Sequence, residues 1–113
     1  MISSKPVFVS FSSVKLDSKF SSLETSNSSD RSLFYSISKA ILVLKSDPSS
    51  GIKLSKKIWP KDYVRKYSLT NLWKYNLSDA HRLIYTVISD DSMFLVLILD
   101  WFNHKSYEKK FNF

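Results

Sequence analysis

The sequence predicts an α+β fold in the order β-α-α-β-β-β, an antiparallel-rich four-stranded sheet with a two-helix hairpin packed on one face. Three observations lead there. Apolar residues alternate with others just after Pro6, as in a strand. Two stripes at helical spacing follow between Leu16 and Leu44. Three strand-like segments joined by short polar turns then fill residues 72–101, which reads as an antiparallel meander.

The first strand is expected over residues 6–11, with Pro6 at its start, where a missing N–H does least harm. Leu16, Phe20 and Leu23 fall at i, i+4 and i+7 and mark a helix that Ser12 or Ser13 caps. After a polar break at Thr25–Ser29, Leu33, Phe34, Ile37, Ile41 and Leu44 form one face of a second helix, with Asp30 as its N-cap and Asp47-Pro48 as its end. Although 17 of the first 50 residues are serine, this periodicity argues for a folded segment. Residues 48–70 read as a basic, loop-like stretch broken by Pro60, with one or two helical turns at Tyr63, Val64 and Tyr67. The period then changes to two. Leu72–Leu77, Arg82–Ile88 and the nearly continuous apolar run Met93–Trp101 form the meander, the last as a central strand covered on both faces. Trp73, Tyr75 and Trp101 are strand aromatics expected in the core.

At 113 residues the chain fits one domain, 1–113, long enough to bury a core without staples. It has no cysteine, which excludes disulfide frameworks, thiol catalysis and cysteine-based metal sites. Its single glycine, Gly51, excludes the Gly-rich phosphate loops of nucleotide-binding folds. His81 and His104 lack the spacing of a helical zinc-protease pair. No apolar run approaches the about 20 residues of a membrane span, and residues 1–13 do not read as a secretory signal. The net charge is +7, and it is concentrated: residues 51–82 hold eight bases against Asp62 and Asp79, or +6. Such a local field attracts polyanions, nucleic acid foremost, or an acidic protein.

The strand-turn-strand segment Trp73-Lys74-Tyr75-Asn76-Leu77 and Arg82-Leu83-Ile84-Tyr85 resembles the RelE/ParE family of toxins from type II toxin–antitoxin systems. In that family a Tyr-Lys-x-x-Leu strand turns directly into Arg-Leu-(Ile/Val)-Tyr. The closing stretch, an apolar strand followed by His104-Lys105-Ser106-Tyr107 and then Lys109-Lys110-Phe111, is similar to its ParE-like branch. So is Trp59-Pro60-Lys61-Asp62-Tyr63-Val64-Arg65-Lys66-Tyr67 leading into Asn71-Leu72-Trp73. The likeness covers residues 51–113 and reaches 1–50 only through element order.

The resemblance implies a cytoplasmic toxin that blocks translation by cleaving messenger RNA, typically on the ribosome. The RNA's own 2′-hydroxyl is the nucleophile in that reaction, which uses no cofactor, no metal and no protein nucleophile. It needs a base, an acid and cations for the extra phosphate charge. The residues carried over are Arg82 as phosphate clamp, His104 as acid or base and Tyr107 as a stacking or proton-donating group. Lys74, His81 and Lys105 are expected to contact RNA. The histidine-to-tyrosine spacing is shorter than in many RelE members, and ParE relatives inhibit DNA gyrase without cleaving RNA. A non-enzymatic gyrase inhibitor and an inactive nucleic-acid-binding relative therefore stay open beside the nuclease. The implied partner is an acidic antitoxin that forms a hetero-oligomer with the toxin. It would fold into an apolar groove between the helix pair and the sheet edge. No membrane partner is expected.

Overall fold

The computed structural model describes residues 5–111. Its elements are β1 (Val7–Phe11), α1 (Val14–Leu23), α2 (Ser28–Ser46), β2 (Ile52–Lys53), α3 (Lys61–Tyr67), β3 (Trp73–Asn76), β4 (His81–Ser89), β5 (Phe94–Asn103) and α4 (His104–Phe111). Single 3₁₀ turns occupy Pro48–Ser50 and Lys56–Ile58. The strands form one mixed sheet in the order β1-β5-β4-β3-β2, with β1 parallel to β5 and the other pairs antiparallel. No helix among the described residues is long and apolar enough to cross a membrane.

The α+β class holds, with five strands where the sequence predicts four. The additional strand, β2, has two residues, too few for any periodicity to register. It is anchored from below. The Gly51 N–H donates to the Tyr85 hydroxyl at 3.0 Å, and that hydroxyl donates to the Pro48 carbonyl at 3.0 Å. Tyr85 is fully buried and stacked on Trp73, and burial raises its pKa to about 12. A Cβ on Gly51 would meet the Tyr85 hydroxyl oxygen and lie 2.6 Å from the Lys74 carbonyl oxygen, so only glycine fits.

Local chemistry sets the helix starts. The Ser13 hydroxyl accepts the Leu16 N–H at 3.0 Å and caps α1. The cap of α2 is Asn27 and not Asp30: Asn27 Oδ1 accepts the Asp30 N–H at 2.9 Å, so the helix begins one turn earlier and Asp30 sits in its first turn. There an acid complements the positive end of the helix dipole. The pair packs on one sheet face through Leu16, Leu23, Ile37, Ala40 and Leu44 against Leu83, Tyr85, Val96, Ile98 and Trp101. Phe20 bridges it to β1, 5.0 Å from Phe11 and stacked 4.7 Å from Phe34.

The sheet's second face is also covered, as the continuous apolar run Met93–Trp101 predicts, by elements that the sequence pattern does not announce. Leu54, Tyr63 and Leu72 from the segment around α3 pack with Tyr107 and Phe111 of α4 over Ile84 and Leu99. Within β5, strict alternation between the two cores breaks at one point. Ile84 pairs with Asp100 and Tyr85 with Ile98, leaving Leu99 as an extra residue in a β-bulge. The bulge puts Ile98 and Trp101, three apart, in the first core while Leu99 and Phe102 belong to the second.

The β3–β4 turn is strained. Asp79 and Ala80 hold φ of 57° and 59°, the left-handed pair of a type I′ hairpin turn, closed by the His81 N–H on the Ser78 carbonyl at 3.3 Å and flanked by the Leu77 N–H on the His81 carbonyl at 2.8 Å. Alanine in that conformation costs about 1–2 kcal/mol. Ala80→Gly is therefore expected to raise stability by about 1 kcal/mol. Gly51→Ala is expected to lower it by about 1–3 kcal/mol through overpacking against Tyr85. Urea denaturation of the two variants should move the midpoint in opposite directions.

Candidate functional site

The site forms where β4 begins and β5 ends. Asn76 pairs with Arg82, Arg82 with Phe102 and His81 with Asn103, so the chain leaves β5 beside Arg82 and turns at once into α4. Asn103 Oδ1 caps this helix by accepting the Ser106 N–H at 2.8 Å. Tyr107 and Phe111, one turn apart, are 3% and 1% exposed and pin α4 to the sheet, with their rings stacked at 4.6 Å. Burial of two such side chains supplies roughly 3–6 kcal/mol of apolar driving force for docking the helix.

Docking of α4 brings four predicted residues together. Arg82 Nη2 lies 3.4 Å from His104 Nδ1. Arginine carries only donors, so this contact uses the Nδ1 lone pair and assigns the ring proton to Nε2. Glu108 Oε1 lies 3.5 Å from that Nε2, one helical turn on. The Tyr107 ring lies beneath two cations, Lys74 Nζ at 5.2 Å and Arg82 Cζ at 6.0 Å from its centre. Burial pushes the Tyr107 hydroxyl pKa up and the Arg82 charge partly opposes it, so the phenol keeps its proton at neutral pH.

The cations are poorly compensated. Neither Arg82 nor Lys74 forms an ion pair among the described residues, so Arg82 does not pair with Asp79. Arg82 Nη1 donates to its neighbour's His81 carbonyl at 3.2 Å, but Nε is buried with no hydrogen-bond partner among the described residues. A buried donor left unmade costs about 1–3 kcal/mol. Lys74 is pushed below the usual lysine range first by burial and then by the Arg82 charge. An anion seated here would relieve both costs.

Two predicted RNA contacts stand apart from the cluster. His81 turns back, its Nδ1–H donating to the Asp79 carbonyl at 3.0 Å. Lys105 is exposed on the first turn of α4. Glu108, flanked by Lys109 and Lys110 in the chain, faces His104; the i,i+4 spacing His104–Glu108 is the sequence signal that identifies it.

The basic residues also collect beyond the cluster. The segment 54–72 and α4 cover the same sheet face, so Lys56, Lys57, Lys61, Arg65 and Lys66 join Lys105, Lys109 and Lys110 on one side of the molecule. The acids of these two stretches are Asp62 and Glu108, and both are engaged, Asp62 by Lys110 at 2.7 Å and Glu108 by His104. At the opposite end of the sheet, beneath the C-terminal end of α2, a groove of about 710 Å³ has a floor of Val7, Trp73, Val87 and Phe94 and a rim that includes Lys45 and Lys53. Its apolar floor suits an amphipathic segment. The open Arg82 face suits a long polyanion. No protein-family model, curated protein or solved structure matches the chain.

Removing Arg82 tests this electrostatic account. In Arg82→Ala the Lys74 pKa should move back toward 10.5 yet stay below it, because burial, the larger cause, remains. Carbon-detected NMR titration of the lysine ε-methylene would show an unmoved Lys74 resonance if the two charges do not interact.

Proposed function

We propose that this chain is a RelE/ParE-like toxin that cleaves messenger RNA without a metal and so stops translation. The observation that carries the reading is the convergence of Arg82 and His104, at 3.4 Å, over the Tyr107 and Lys74 pair, with no carboxylate on either cation. In the proposed reaction the 2′-oxygen bonds to the adjacent phosphorus and the P–O5′ bond breaks. The products are a 2′,3′-cyclic phosphate and a 5′-hydroxyl. Arg82 accepts the scissile phosphate between its fork and His104, displacing their mutual contact. Its Nε then has an oxygen to bind, and the guanidinium stabilises the developing charge. His104 Nδ1 takes the proton of the attacking 2′-hydroxyl and the departing 5′-oxygen takes one from solvent, while Glu108 orients the ring through Nε2. Lys74 and Tyr107 position the strand.

The partner proposed with this reading is an acidic antitoxin whose segment folds into the groove beneath α2, its apolar side chains on Trp73 and Phe94 and its carboxylates toward Lys45 and Lys53. Co-expression with the product of the adjacent gene should rescue growth and yield a co-purifying complex.

Expression of the chain should arrest growth and cut cellular messages, as primer extension maps. Arg82→Ala is expected to lower cleavage about 10²–10³-fold. His104→Ala should lower it about 10²–10⁴-fold. Arg82→Lys should also be impaired, because a point charge lacks the bidentate fork. Arg82 is half-buried and His104 exposed, so the variants should stay folded. If both alanine variants remain fully toxic, the site is wrong. Growth arrest without cut RNA transfers the activity to a protein target such as gyrase.

A further inference from the structure

A second concavity lies along α4 from the Arg82 cluster. It has a volume of about 460 Å³ and is lined by Lys57, Trp59, Lys61, Asp62, Lys109 and Lys110. Lys110 neutralises Asp62 at 2.7 Å, and that bond holds the carboxyl below its ordinary range, so Asp62 stays ionised and occupied. Lys57, Lys61 and Lys109 remain around the hollow, all exposed and without an ion pair among the described residues. Trp59 directs its indole N–H inward to the Leu54 carbonyl at 3.1 Å, so its polar atom is used. The hollow thus combines repeated positive charge with a floor that includes Ile58, Pro60 and Phe111, and it is more strongly charged than the groove beneath α2.

We infer that this hollow is a backbone-binding subsite for single-stranded RNA, and that α4 is the ruler linking it to the Arg82 cluster. The inference rests on the proposed nuclease reading for its choice of RNA over other polyanions. His104 and Lys109 are five residues apart on one helix, a rise of about 7.5 Å with a turn of about 140° between their side chains. An extended strand that wraps the helix surface covers that separation within a few nucleotides. A phosphate clamped by Arg82 therefore leaves a phosphate a few nucleotides along the strand near Lys57, Lys61 and Lys109. The contacts are charge contacts to the backbone, so they supply affinity and register without reading sequence. The mobile lysine heads can follow a flexible strand, whereas the fixed Arg82 fork sets where the bond is cut.

Binding can be measured without cleavage by using a 2′-O-methyl oligouridylate, which lacks the nucleophile. Each phosphate contact to a single strand contributes about 0.7 to the slope of log affinity against log salt, so Lys57→Gln/Lys61→Gln/Lys109→Gln should lower that slope by about 2. A control that removes the same charge from the helix pair, Lys15→Gln/Arg31→Gln/Lys39→Gln, should leave it nearly unchanged. Equal loss in both triples would overturn the subsite, since the attraction would then be a delocalised net-charge effect. Poly-glutamate binding as tightly as RNA, with the same sensitivity to the triple, would also overturn it in favour of an acidic protein dock. Cleavage of unmodified RNA is scored separately. A lowered slope with no cleavage keeps the subsite and removes the nuclease; an unchanged slope with cleavage does the reverse.

Discussion

The pairing of β4 with β5 is the constraint on which the rest depends. Both strands are covered on both faces, and the bulge at Leu99 sets which residues of β5 face which core. Without the extra residue, Ile98 and Trp101 would point to opposite faces, and Trp101 would leave the α1/α2 core. The same register sets the exit of β5 beside Arg82. The position of α4, and with it the distance from His104 to Arg82, follows from backbone pairing. Side-chain packing by Tyr107 and Phe111 then holds the helix there.

Charge works against this arrangement. Lys74 and Arg82 share one aromatic ring and repel, and burial further disfavours the Lys74 charge. A cluster of this kind persists because the apolar contacts around it exceed its cost. Local conflicts between stability and sequence pattern gather at sites where a ligand later resolves them. Ala80 shows a backbone version of the same thing, a left-handed residue in the turn that delivers His81 and Arg82. The acids of the 54–72 segment and α4, Asp62 and Glu108, are engaged by Lys110 and His104, which leaves the outer lysines to the solvent.

The parts of the fold with long periodic segments were legible in the sequence. The two helical stripes and the three-strand meander appear as the pattern predicts, and β1 takes its place against β5. The second covering layer was not legible, because α3 has seven residues, α4 has eight and Pro60 interrupts the stretch between. Short helices earn their stability from docking and leave little periodicity. The site residues Arg82, His104, Tyr107 and Lys74 were named from a resemblance, but their juxtaposition depends on the β3–β4 and β4–β5 registers, which composition does not fix. Glu108 was overlooked because two adjacent lysines offered it a simpler partner. The gathering of tail and central lysines on one face also needed the three-dimensional position of α4.

The central claim is that the Arg82–His104 cluster directs the RNA's own 2′-hydroxyl against its phosphate. The direct measurement is mass spectrometry of the fragment ends after incubating purified chain with an unmodified RNA in the presence of a chelator. The account predicts 2′,3′-cyclic phosphate and 5′-hydroxyl termini, lost in Arg82→Ala. Fragments ending in 3′-hydroxyl and 5′-phosphate, or cleavage that persists unchanged in Arg82→Ala, would contradict it.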